Sequence, residues 1–247
     1  MAHFKQMLHL KDKIIKNNTI HPDTFKQYDV KRGLRNQDGS GVLAGLSLIS
    51  SVVGSVKENG VLTPCEGVLK FRGVPLHELL EKQATHRFEA LSYLLLVGEF
   101  PDEKELKNFC NLLAQERTLP NEILTHIIQG IPSKDIMNKL QTAIAALYAF
   151  DDNPDARDPF ANFCKSVSIL AKLPLIIAYS YLAAFEASPD FVVPEPNMSQ
   201  AEAFLYALYE GKKPQQLDHQ ILDLCLAIHT EHGGGNNSTF TTYVVTS

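Results

Sequence analysis

The sequence predicts a mainly α fold: a multi-helical domain carrying one small antiparallel β-hairpin near residues 46–71. Three observations predict it. From Leu76 onward, apolar residues recur at three- and four-residue spacing between proline and glycine breaks, the period of one helix face. The stretch from Phe160 to Ala187 is apolar almost all round, as in a helix enclosed by others. Only the segment before Pro75 changes character, to Val-, Leu- and Ser-rich runs on either side of an Asn-Gly pair.

Taken in order, Met1 to Ile20 is polar and lysine-bearing, and its spread of Phe4, Met7, Leu8, Leu10, Ile14 and Ile15 fits a short amphipathic helix rather than a signal peptide. Residues 1–28 are read as that helical segment and a linker. The charged, glycine-rich stretch from Asp29 to Gly45 reads as loop. Leu46–Val56 and Val61–Phe71, joined through Glu58-Asn59-Gly60, form the hairpin. Helical stripes follow: Leu76, Leu79 and Leu80; then Phe88, Leu91, Leu94 and Leu95, ending at Gly98. Pro101-Asp102-Glu103 opens the next helix, with acids at the positive end of its dipole. Leu119-Pro120-Asn121 and Ile131-Pro132-Ser133 punctuate two more, Ser133 being the expected N-cap. Pro174 is expected to kink the apolar helix, and Tyr179 and Tyr181 to lie in the core. Ser199-Gln200-Ala201-Glu202 caps a helix through Tyr209, and Pro214 opens the last, through Leu217, Ile221, Leu224 and Ile228.

Composition narrows function. A net charge of −5 offers no basic face for nucleic acid. The four cysteines, Cys65, Cys110, Cys164 and Cys225, contain no C-x-x-C pair, which argues against a disulfide framework and for a reducing cytoplasm. No run of about 18 consecutive apolar residues is present, so no membrane span is expected.

The candidate site lies where the last helix meets Gly233-Gly234-Gly235-Asn236-Asn237-Ser238. His229 and His232 share a helix face at i, i+3. They lack the i, i+4 zincin spacing and a third ligand, so no metal is expected. Two readings stay open for them. They can be plain C-terminal helix residues that complement the macrodipole. Or an imidazole, an Asn amide and glycine N–H groups can donate to the oxygens of an anionic keto acid. Arg32, Arg35 and Arg72, beside glycines, could meet a carboxylate or a phosphate, or simply be solvated or paired; their role stays open.

The segment His229-Thr230-Glu231-His232-Gly233-Gly234-Gly235-Asn236-Asn237-Ser238-Thr239 resembles the H-x-[DE]-H…N-x-S signature of citrate synthases. Glu66–Leu76 (with Phe71 where the family usually has Tyr), Tyr93–Pro101, Leu170–Pro174, Phe204–Tyr206 and Leu222–Ile228 are similar to family segments in the same order. Arg32–Gly39 with Gly41-Val42-Leu43 is similar to bacterial citrate/2-methylcitrate synthases. The resemblance implies that residues 29–247 are the large helical domain, truncated before the small one. It implies condensation of acetyl-coenzyme A with oxaloacetate, giving citrate and coenzyme A, in a cytoplasmic homodimer, with acetyl-coenzyme A as substrate and no cofactor. His232 is then the oxaloacetate-binding histidine, and His229, Asn236 and Ser238 line the same cleft. The family's catalytic His in a G-P-x-H-G segment, its later His and its Asp have no counterpart among these residues, so the chain is expected to be inactive alone. The alternatives are a 2-methylcitrate synthase using propanoyl-coenzyme A and a non-catalytic helical scaffold.

Overall fold

The computed structural model describes residues 48–156 and 158–231 together with His21, Asp23, Thr24 and Thr241. Residues 48–56 and 63–231 belong to one unit, and the hairpin tip, residues 57–62, belongs to another. The expected helix of residues 1–20 lies outside the described residues.

The β element is a sheet in the order β1 (Ser50–Glu58), β2 (Val61–Phe71), β3 (Val74–Pro75). Asn59-Gly60 turns β1 into β2 with φ of 50° and 83°, the double positive-φ geometry that matches strand twist. The third strand was not expected. Arg72-Gly73 makes an equivalent turn, with φ of 48° and 85°, and returns the chain antiparallel so that Phe71 faces Val74 and Lys70 faces Pro75. An Arg-Gly pair is no standard turn signal, because a long side chain pays a steric penalty in the left-handed region.

Helices follow as α1 (Leu76–Lys82), α2 (Arg87–Val97), α3 (Glu103–Glu116), α4 (Ile136–Leu147), α5 (Pro159–Phe185), α6 (Gln200–Leu208) and α7 (Gln216–Ile228). Between α3 and α4 lies a π-helical segment, Ile123–Gln129, where a plain α-helix was expected. Asp102 caps α3 and Ser199 caps α6, each in a reciprocal capping box with a glutamate three residues on. The expectation for Ser133 is corrected. Asp135 caps α4 by accepting from the Asn138 amide at 2.9 Å, while the Ser133 hydroxyl accepts from the Asp135 amide one step earlier.

The long apolar helix α5 is the organising element. Its Leu175, Ile176, Ala178, Tyr179 and Leu182 pack with Ile123 and Ile128 of the π segment, Ala143 of α4 and Ala207 of α6. Its first half meets Phe109 and Leu113 of α3 through Val167 and Ala171. By length and composition alone α5 is long and apolar enough to cross a membrane, with a mean hydropathy of 1.7 over an 18-residue window, although Lys165, Lys172 and several serines interrupt its apolar run. Half of that window is buried against other helices, which accounts for its apolar composition by internal packing. Tyr179 is core, as expected, and its hydroxyl donates to the Val192 carbonyl at 2.6 Å. Tyr181 is not: 44% of it is exposed, against Phe185 one turn on.

A smaller core, Phe71, Leu79, Leu91, Leu94 and Ala227, joins the sheet to α1, α2 and α7. That packing sets the direction in which α7 delivers the His-rich end.

Candidate functional site

α7 is fixed from its middle. Asp223 is buried, and its carboxylate accepts from the backbone amides of Arg87 and Phe88 at 3.1 and 3.0 Å. Those are free N–H groups of the first turn of α2, whose own N-cap position, His86, makes no side-chain cap. Asp223 therefore caps a neighbouring helix, with the Arg87 guanidinium 3.7 Å away. Burial raises its carboxyl above the usual range, opposed by the two amides and the guanidinium.

At the end of α7, His229 is exposed and its Nδ1 lies 2.8 Å from the Cys225 carbonyl. A carbonyl only accepts, so Nδ1 is the donor in this contact. This contact fits the plain helix-end reading of His229, since the ring adds a second donor to a carbonyl that already accepts the His229 backbone N–H at 3.2 Å. Thr230 does likewise for Leu226 and Ala227. Glu231 is half-buried and accepts from the Ser50 hydroxyl of β1 at 3.0 Å, which ties the sheet to the end of the helix. His232, Asn236 and Ser238 lie outside the described residues, as do Arg32 and Arg35.

Arg72 has a structural place. Its Nη2 donates to the Leu95 carbonyl at 2.6 Å, in the last turn of α2, where a cation meets the negative end of the helix dipole. Its Nε is buried without a partner.

The sequence reading missed a buried polar network beneath these elements. The Gln200 backbone N–H at the start of α6 donates to Glu89 Oε1 of α2 at 2.7 Å. The Gln200 side-chain oxygen accepts from Arg117 Nε and Nη2 at 3.2 and 2.9 Å, and Arg117 Nη2 also donates to the Met198 carbonyl. Gln200 Nε2 donates to the Leu170 carbonyl at 2.8 Å. Proline explains that last bond: Pro174, four residues on in α5, has no N–H to offer Leu170, and the amide supplies the lost donor. Burial pushes Arg117 down, and the Glu89 carboxylate opposes the shift. One signal was available, since Glu89 stands within the apolar stretch Phe88–Leu95.

Two hollows stand out among the described residues. One, about 1120 Å³, lies between α3, α4 and α5 and is lined by Glu116, Tyr148, Asp151 and Lys172 among others. The other, about 710 Å³, lies beside α3 and is lined by His86, Phe100, Cys110, Asn197 and Met198 among others. Neither is lined by His229 or Glu231.

Comparison with known proteins identifies the family. The family profile described as "Citrate synthase, C-terminal domain" matches residues 39–247, and the chain belongs to the citrate synthase family. It is 31% identical over 206 residues to Citrate synthase 2 of Bacillus subtilis, covering 83% of this chain and 50% of that one. It is likewise 31% identical over 172 residues to the citrate/2-methylcitrate synthase of the same organism, covering 69% and 45%. Among solved structures, citrate synthase from Pyrobaculum aerophilum superposes with a TM-score of 0.66 at 25% identity, over 83% of this chain and 51% of that one. The chain resembles in fold the Thermoplasma acidophilum citrate synthase solved in a ternary complex with carboxymethyl coenzyme A and oxaloacetate, with a TM-score of 0.63 at 19% identity over 77% of this chain and 46% of that one. The chain spans about half the length of these relatives.

Proposed function

We propose that these residues form the large-domain, oxaloacetate-side part of an enzyme that condenses acetyl-coenzyme A with oxaloacetate to citrate and coenzyme A. The observation that carries the reading is the family match over residues 39–247, which takes in the whole signature from His229 to Ser238. In this reading His232 donates to oxaloacetate, and Asn236 and Ser238 support it in the cleft. The anchoring of α7 through Asp223 gives that signature a fixed origin. His229, already bonded to its own helix, then acts as a terminus residue that sets the backbone ahead of His232.

The chemistry needs more than these residues. Enolising a thioester takes a carboxylate base and a hydrogen-bond donor at the thioester oxygen. The family supplies the histidine of that pair from a G-P-x-H-G segment, which residues 1–247 do not contain. We assign those groups to the part of the enzyme that relatives carry beyond the matched half, and the working form to a homodimer.

The test is coenzyme A release by purified residues 1–247 given acetyl-coenzyme A and oxaloacetate. Background turnover is expected, and robust turnover would overturn this division of labour. The similarity to a citrate/2-methylcitrate synthase supports a second reading, in which propanoyl-coenzyme A is the better donor. Relative turnover of the two donors by a protein with both halves decides between them.

A further inference from the structure

Away from the signature, the 710 Å³ hollow beside α3 contains a grouping that citrate chemistry does not use. Cys110 of α3 places its sulfur 3.9 Å from Nδ1 of His86, the residue before α2. The same ring nitrogen lies 3.8 Å from Glu89 Oε2. Glu89 is only 1% exposed, and Oε2 has no hydrogen-bond partner although Oε1 is bonded to Gln200. His86 is held in the left-handed region, with φ of 55°, which favours glycine and which a histidine occupies at a cost. The charge balance is uneven. Glu89 is one buried anion facing two cations, Arg117 on one side and the imidazolium of His86 on the other. The second cation has the sulfur of Cys110 as its remaining neighbour. The sulfur and then the carboxylate hold the ring cationic, raising it from 6.5 to about 10 against the opposing effect of burial.

We propose that Cys110 is a nucleophilic cysteine, paired with the His86 imidazole 3.9 Å away, that forms a mixed disulfide with small-molecule disulfides entering this hollow. A cation beside a cysteine favours the thiolate, which is the attacking form. Sγ attacks one sulfur of the incoming disulfide; the new S–S bond forms as the old one breaks. The departing thiolate takes that bond's electron pair and a proton from solvent. The disulfide is the oxidant, so no other is needed. The remaining charged groups around the hollow are Lys82 of α1 and Asp102, Glu103 and Lys107 of α3, two of each sign, and they leave the local balance to the buried cluster. Cys65, Cys164 and Cys225 are all more exposed than Cys110 and serve as internal controls.

The reduced chain is treated with limiting iodoacetamide at pH 7 and its four cysteines are followed by peptide mass mapping. Cys110 should react about tenfold faster than the three exposed cysteines, despite its lower exposure. His86→Gln should lower the Cys110 rate by about tenfold and leave the other three unchanged, with the gap widening as the pH falls towards about 6. Glutathione disulfide should then give one mixed disulfide, at Cys110, reversed by dithiothreitol. Equal rates at all four cysteines in the parent protein would overturn the proposal, whether or not the His86 variant folds. So would a Cys110 rate indifferent to His86→Gln. Fast alkylation without mixed-disulfide formation would overturn the assignment to disulfides.

Discussion

At the scale of single residues, the chain spends buried polar groups on holding helices in register. Asp223 satisfies two amides of another helix, and removing its carboxylate strands both. Asp223→Ala should cost about 2–3 kcal/mol, measured as a lowered urea midpoint with unchanged slope, and Asp223→Asn about half that, because an amide oxygen can still accept one bond. His86 gives a pH signature. Its folded value of about 10 lies above the unfolded 6.5, so its contribution is fully present below pH 6.5 and is lost as pH rises through 10. With 36% of its side chain exposed, solvent screens much of that, and a loss of about 1 kcal/mol between pH 6 and 10 is expected. His86→Gln should flatten that slope in pH-dependent urea unfolding. These roles were poorly legible in the sequence. Asp223 and Glu89 are single acids in apolar helical runs, and their partners lie 135 and 111 positions away. Nothing local distinguishes a buried acid awaiting such a partner from one facing water.

At the scale of elements, local rules did better because their partners are local. Ser199 and Glu202 sit three residues apart, and the structure closes the reciprocal bonds at 3.1 and 3.0 Å. Ser199→Ala should cost about 1 kcal/mol in thermal or urea unfolding, and Glu202→Ala less, since only the Ser199 amide loses its acceptor. The Asn59-Gly60 turn was legible for the same reason. The Arg72-Gly73 turn was not: the guanidinium is held by Leu95 of α2, so tertiary contact decides the backbone. Ser133 follows a proline and offers a capping hydroxyl, but Asp135, two residues on, has the stronger acceptor and takes the position. Pro174 shows both limits. Its place inside an apolar helix was plain, while the amide that repairs the ladder comes from Gln200 in another helix.

At the scale of the molecule, the outer stripe of α7 is apolar and open: Leu217, Ile221, Leu224 and Ile228 are 64, 53, 41 and 41% exposed. They recur at helical spacing, so they form one face rather than scattered residues. Residues 1–247 studied alone should self-associate, with sedimentation coefficients that rise with concentration, and Leu217→Lys with Ile221→Lys should suppress that rise. The family was legible before any coordinates because the signature is short and contiguous. The assignment of His232, Asn236 and Ser238 to a substrate cleft rests on resemblance, since they lie outside the described residues.

The most direct measurement is the oxaloacetate dependence of coenzyme A release by an active protein in which residues 1–247 are joined to the C-terminal half of a citrate synthase, compared with its His232→Ala variant. A lost hydrogen bond to a charged ligand of about 1.5–3 kcal/mol should raise the oxaloacetate KM roughly 10- to 100-fold, with the acyl-coenzyme A KM little changed. An active protein whose oxaloacetate KM is untouched by His232→Ala would contradict the account.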